Sequence, residues 1–373
     1  MIPFIEKYIR DISGREPLFI KLPSKQIRKS DVSTISFLVK VLTEKGELPF
    51  AIVKIPRDPK NPDSVETLRL EHHNLSFLTG KIKEELKSSI PSTIFLKEIE
   101  GCLVLAESIV KGSEMSSTIL GSPQILETFL KNLDAASGWL ISFLSSFDKK
   151  TCKLQRTVSR TTEEYSSLFP KRDKKVFSRS FELLEHFSNT LANKDIPLMP
   201  QHGDYHADNI FMENGKISGV IDWEDFSTEA HPPCFDLIHF IYTYLEALYG
   251  AFFNMGSLEL TRSLQINEPF YNRIDAVFGS FCKDTGIDLE LMELLIPLYL
   301  LKSLSAAGNP RKQAETAIKK LELMFMFSPR SIKGLSGYMA YVNYLNLEKR
   351  YKDSGSADQA AICRKMMNDI ESA

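Results

Sequence analysis

Hydrophobic and polar positions keep two different rhythms along the chain, and the change between them divides it. In the first part the rhythm is that of strands: Leu18 to Leu22 and Thr34 to Leu42 carry apolar and β-branched residues in short runs. Glu44-Lys45-Gly46-Glu47 supplies a hairpin turn into a third strand, Pro49 to Ile55, which reads PFAIVKI. Apolar neighbours on both faces predict that it is buried, and Lys54 is the anomaly in it. A helix follows, with Asp63 or Ser64 as its predicted N-cap. Leu68, Leu75 and Leu78 share one face, and the position that completes their spacing is Glu71. A carboxylate amid leucines is costly unless a cation meets it. Strand and helix thus carry one misplaced charge each, of opposite sign, and the economical reading is that Lys54 and Glu71 meet.

Gly101 to Val110 reads as another buried strand, running into a loop at Gly112. From about Pro123 to Asn193 the pattern is helical and amphipathic, as in LETFLKNLDAASGWLISFL. The stretch QHGDYHADNIF comes next, Gln201 to Phe211, and continues into a short hairpin that turns at Asn214-Gly215 and ends in Ile221-Asp222-Trp223. Everything from Cys234 onward looks helical. A small β-rich part first and a large helical part second make an α+β chain, with no internal repeat and no low-complexity linker.

Composition narrows the function classes. The 46 basic and 48 acidic residues give a formal net charge of -2, so no electrostatic footprint for nucleic acid exists, and the short basic run PKRDKK reads as a solvated face. The five cysteines are scattered without a CxxC pair, which suggests neither a disulfide framework nor a thiolate zinc site. MIPFIEKYIRDISGRE has charges inside its apolar segment and is not expected to be a signal peptide; LMELLIPLYLLKSL is too short to span a bilayer. A reduced, cytoplasmic protein with no membrane partner is the expectation.

Between His202 and Asp222 the order is His-x-Asp, then five residues on from Asp204 an Asn, then a hairpin and Ile-Asp-Trp. Histidines and aspartates in QHGDYHADNIF could be metal ligands, but a metal hydrolase leaves Lys54, Glu71 and the IDW segment without a role, and no HExxH is present. Phosphoryl transfer needs positioning and charge neutralisation rather than covalent chemistry. It requires a carboxylate for the acceptor hydroxyl, hard oxygen ligands for magnesium and a lysine for nucleotide phosphates. Asp204, Asn209, Asp222 and Lys54 fit those tasks, with Glu71 orienting Lys54.

His202-Gly203-Asp204 through Asn209, followed by Ile221-Asp222-Trp223, resembles the aminoglycoside phosphotransferase and choline kinase family. The resemblance covers roughly Phe50 to Leu78 and Gln201 to Phe240. It implies a two-lobed protein-kinase-like fold, with a small antiparallel-sheet N-lobe over 1–107 and a large, mainly helical C-lobe over 108–373. The C-lobe would carry the catalytic loop 202–209 and the metal-binding segment 221–223. It implies Asp204 as catalytic base, Asn209 and Asp222 as Mg²⁺ ligands, and Lys54 with Glu71 as the ion pair that holds the phosphates of ATP or GTP. Glu107 and Ser108 fall where the family's hinge meets adenine through backbone groups, and Asp236 resembles the aspartate that braces the catalytic loop. His202 is expected to pack and hydrogen-bond in the loop; His206 and Asp208 are left as loop residues.

One departure stands out: PSKQIRKSDVST, between the first two strands, contains no glycine, although amides that approach phosphates favour glycine there. Ser30, Ser33 and Thr34 are candidate donors in its place, and a nucleotide-binding pseudokinase is the alternative to an enzyme. A protein acceptor is disfavoured because His206 stands second after Asp204 and no APE segment is present. A small-molecule hydroxyl is the expected acceptor. Asp275, Asp284, Asp288 and Glu290, or Tyr242, Tyr244, Tyr249 and Phe253, are candidates for meeting it, though each set also reads as helix surface or core.

Overall fold

The computed structural model of the protein describes residues 2–21, 34–43, 46–120, 124–157, 193–251, 268–292 and 357–371, with a few single positions besides. In chain order the elements begin with α1 (Ile2–Ser13), β1 (Pro17–Lys21), β2 (Thr34–Thr43), β3 (Gly46–Pro56) and α2 (Pro62–Lys81). The short α3 (Glu84–Lys87), β4 (Thr93–Ile99), β5 (Cys102–Glu107), β6 (Ser113–Glu114), α4 (Met115–Leu120) and α5 (Ile125–Leu144) follow. Then come β7 (Lys150–Lys153), β8 (Asp195–Gln201), β9 (Ile210–Glu213), β10 (Lys216–Val220) and β11 (Ser227–His231). The last described elements are α6 (Cys234–Ala251), α7 (Glu268–Thr285), a 3-10 turn at Leu289–Leu291 and α8 (Ala357–Glu371). Two compact units contain them: residues 1–121, 145–147 and 200–228 in one, and 122–144, 148–199 and 229–373 in the other.

The first unit is built on a five-stranded antiparallel sheet in the order β1-β2-β3-β5-β4. Side chains alternate across a strand, so Ala51, Val53 and Ile55 leave β3 on one face and join Phe37, Val39, Val104 and Ala106 in a core. Ile5 and Ile9 of α1 complete that core. Lys54 leaves on the other face, opposite Leu105 of β5 in the ladder. Leu68, Leu75 and Leu78 of α2 are buried, and so is Glu71 on the same stripe. Hairpin β9–β10 pairs with β6 in a second sheet. Its turn is the expected one: Asn214 and Gly215 both have positive φ, 52° and 75°, as a two-residue turn of this kind requires.

Several expectations are corrected. The N-cap of α2 is Asn61, whose Oδ1 accepts from the Asp63 N–H at 3.0 Å. Pro62 then starts the helix, where its missing N–H is no loss and its fixed φ is already helical. The last strand of the sheet begins at Cys102, because Glu100 and Gly101 form the turn from β4 with φ of 52° and 73°. β4 itself was not expected; it lies at the sheet edge with Lys97 and Glu98 exposed, which interrupts the apolar pattern. Within the stretch expected to be helical, Lys150 to Lys153 form a strand that pairs antiparallel with β8. The glycine-free segment before Thr34 lies outside the described residues, as do the residues of the expected helical stretch between Ser159 and Asn193.

The second unit is organised around α5. Asn132 of α5 donates from Nδ2 to Tyr244 Oη of α6 at 2.7 Å, and Phe129 stacks on Tyr244 with ring centroids 4.5 Å apart. Arg273 of α7 pairs with Asp134 of α5. Among the described residues no helix is long and apolar enough to cross a membrane.

Candidate active site

Lys54 and Glu71, inferred to meet from their misplaced charges, do so. Lys54 Nζ lies 2.5 Å from Glu71 Oε1, 2.9 Å from Asp222 Oδ1 and 3.1 Å from Glu107 Oε1. Strand β3 supplies the lysine, α2 and β5 supply the two glutamates, and the segment after β10 supplies the aspartate. Burial alone would lower the Lys54 ammonium, but Asp222, Glu107 and Glu71 outweigh it and hold its pKa well above the ordinary value. Glu71 is raised by burial against the pull of Lys54, and Glu107 is pushed by burial up to about 8.

The loop after β8 arranges Asp204 and Asn209. Asn209 is buried, and its Nδ2 donates to both the carbonyl and the Oδ2 of Asp204, each at 3.1 Å. The Asp204 side chain is itself 41% exposed. A chain of backbone bonds ties this loop to the segment 221–223: Asn209 N–H to His206 O, and Ile221 N–H to Asn209 O, both at 2.9 Å. Gly203, with φ of 88°, lets the loop pass so close that a Cβ there would stand 2.4 Å from the Asp225 carbonyl oxygen. Asp222 also has positive φ, 62°. For an aspartate such backbone is strained and persists only where the surroundings impose it, as at functional sites. Those surroundings include Trp223, fully buried, whose Nε1 donates to Val220 O at 2.9 Å and whose carbonyl accepts from Asn74 Nδ2 at 2.8 Å.

Both loop histidines have their ring nitrogens in use. His202 Nδ1 accepts from the Asp204 N–H at 3.2 Å, so its Nε2 carries the proton and donates to Ile221 O at 3.0 Å. Burial pushes this imidazole down to about 4, which keeps it neutral. His206 Nδ1 accepts from the Asp208 N–H at 3.3 Å, and Nε2 donates to Asp204 Oδ2 at 3.2 Å. Neither ring has a nitrogen left for a metal. The group of potential metal ligands lies elsewhere among the described residues: Glu71, Asp222 and Glu224 offer oxygens within 4.8 Å of one another. Sequence reading missed Glu224, and its position two residues after Asp222 was the available signal. Burial, then the charges of Asp222 and Glu71, raise its carboxyl well above the ordinary range. Three carboxylate oxygens are the hard donors that suit a divalent cation, and among the described residues Lys54 already pairs with two of them, Glu71 and Asp222.

Ser108 N–H donates to Ser92 O at 2.8 Å and Ser108 Oγ accepts from Ser92 N–H at 2.9 Å, so the Ser108 amide is already engaged. Glu107 enters the site through its side chain. Asp236 is buried in the first turn of α6, in the second unit. Of the acceptor candidates, Tyr242 and Tyr244 are core, and Asp288 is an exposed partner of Lys194 at 2.9 Å. The Glu290 and Tyr249 side chains and Phe253 lie outside the described residues.

A model of the phosphotransferase enzyme family matches residues 32–264, more than half of the chain. The chain belongs to the phosphotransferase enzyme family. Its fold is the α+β one that the sequence implied, antiparallel sheets with helices. Similar solved structures include aminoglycoside phosphotransferase APH(3'')-Id from Streptomyces rimosus, 14% identical over 82% of this chain and 98% of that one, with a TM-score of 0.44. Choline kinase LicA from Streptococcus pneumoniae is 12% identical over 86% and 98%, with a TM-score of 0.43. Macrolide 2'-phosphotransferase MphH from Brachybacterium faecium is 13% identical over 87% and 98%, with a TM-score of 0.41. No curated protein matches the chain.

Proposed function

We propose that this phosphotransferase moves the γ-phosphate of ATP or GTP to a hydroxyl of a small molecule, with Asp204 as general base. The observation that carries this is the Asp204 carboxylate, part-exposed yet fixed by Asn209 and His206 on a loop bonded directly to the segment bearing Asp222. As the hydroxyl oxygen bonds to the γ-phosphorus, its proton passes to Asp204 Oδ, and the bond from that phosphorus to the bridging oxygen breaks to release the nucleoside diphosphate. Lys54, oriented by Glu71, binds phosphate oxygens. Asn209 has its amide nitrogen committed to Asp204, so a cation there would meet Oδ1, and Asp222 would supply the second ligand. Mg²⁺ held by these residues would neutralise charge on the phosphoryl oxygens.

The test is nucleoside-diphosphate release, with ATP and with GTP, over aminoglycosides, amino alcohols, sugars and nucleosides. Acceptor-dependent release is expected, and Asp204→Ala should lower it about 10²- to 10⁴-fold, the usual worth of a general base. Full turnover by Asp204→Ala would remove the role given to that residue.

A further inference from the structure

Lys54 has three ammonium hydrogens, and three carboxylates surround them at 2.5, 2.9 and 3.1 Å. Two of the three have a second task. Glu71 also accepts a hydrogen bond from the Trp223 backbone, which ties α2 to the segment after β10. Asp222 is the proposed metal ligand. Glu107 differs: its Oε1 lies on Lys54, while its buried Oε2 has no hydrogen-bond partner among the described residues. The strand places it there. Leu105 stands opposite Lys54 in the ladder, and two residues on, Glu107 leaves β5 on that same face. The bridge from β3 to α2 is already made by Glu71, so Glu107 adds nothing to it. What Glu107 does is occupy an N–H that a phosphate oxygen would otherwise receive.

We infer that Glu107 competes with the donor's phosphate for Lys54 and so sets the affinity for the nucleotide. The inference rests on the donor-site role proposed above for Lys54. Phosphate oxygens and the Glu107 carboxyl are acceptors for the same hydrogens, and removing one acceptor favours the other. A nucleoside without phosphate takes no part in this exchange.

Calorimetric titration of the full chain with ADP, GDP and the corresponding nucleosides tests it, in the wild type, Glu107→Met, Lys54→Met and the double variant. Glu107→Met is expected to bind the diphosphate about tenfold more tightly, the worth of one hydrogen bond to a charged group, with nucleoside binding unchanged. The gain should vanish when Lys54 is also Met. Should Glu107→Met fail to fold, Glu107→Gln serves in its place and is expected to show a smaller gain of the same sign, because it keeps the shape and removes the acid. Unchanged or weaker diphosphate binding in the Glu107 variant overturns the inference, as does a gain that survives without Lys54. Absence of any nucleotide binding by the wild type is a different outcome, which removes the donor role of Lys54 and the inference with it.

Discussion

His202 is a buried imidazole bonded on both sides, to the Asp204 N–H and the Ile221 carbonyl, and its pKa of about 4 lies below the ordinary 6.5. The unfolded chain therefore binds a proton that the folded chain refuses in this interval. Stability from this group is fully present above the ordinary value and is lost as the pH falls towards about 4. In urea denaturation the wild-type midpoint should decline over that window more steeply than that of His202→Gln, and parallel declines would contradict the assignment. Gly203 gives a second expectation at this scale. A side chain there meets both a positive φ and the Asp225 carbonyl, so Gly203→Ala should destabilise by about 2 kcal/mol and lower turnover with it. An alanine variant of wild-type stability and rate would show that the close approach has no consequence. The sequence singled out Asp204 and Asn209 by their types and spacing, and the fold joins the two through the Asn209 amide. The side-chain contact of Glu107 with Lys54 was not readable, since sequence does not say which of two strand faces a terminal residue takes. Glu224 was passed over because its oxygens gather with those of Glu71 only in space.

At the scale of elements, patterns that fold on themselves were readable and patterns completed by distant partners were not. The Asn-Gly turn fixes the β9–β10 hairpin, and the charged pair on β3 and α2 is enough to imply that the two elements pack together. Helix α1 escaped because its apolar positions alternate with lysine, arginine and glutamate; among its described side chains, Ile5 and Ile9 are the isoleucines in the sheet core. Its contribution can be measured: Ile9→Ala should cost about 3 kcal/mol of unfolding free energy, as for other fully buried aliphatic truncations. A loss below about 1 kcal/mol would mean that α1 is a loosely held cover rather than part of the core. Strand β7 escaped for a related reason, being four residues whose pairing with β8 comes from beyond a long intervening stretch.

Across the whole molecule, the proposed donor and catalytic groups, Lys54, Glu71, Glu107, Asp204, Asn209 and Asp222, all fall within one compact unit. The sheet supplies the lysine and a glutamate, α2 the other glutamate, and the loop and hairpin after β8 the aspartates and asparagine. The other unit holds its own core around α5 and the aromatic and acidic residues first considered for acceptor recognition. Acceptor identity was not readable because each candidate set also reads as core or surface; Tyr244, for one, is buried and bonded to Asn132. Asp204 is proposed to activate a hydroxyl for attack on a nucleotide's γ-phosphate. The most direct test is transfer of label from γ-labelled ATP or GTP, with Mg²⁺, into pooled hydroxyl-bearing small molecules by wild type and Asp204→Ala. Labelled product from the wild type, reduced at least about 10²-fold in a folded Asp204→Ala, is the expected result. Equal labelling by both proteins, or none by a wild type that binds the nucleotide, would contradict it.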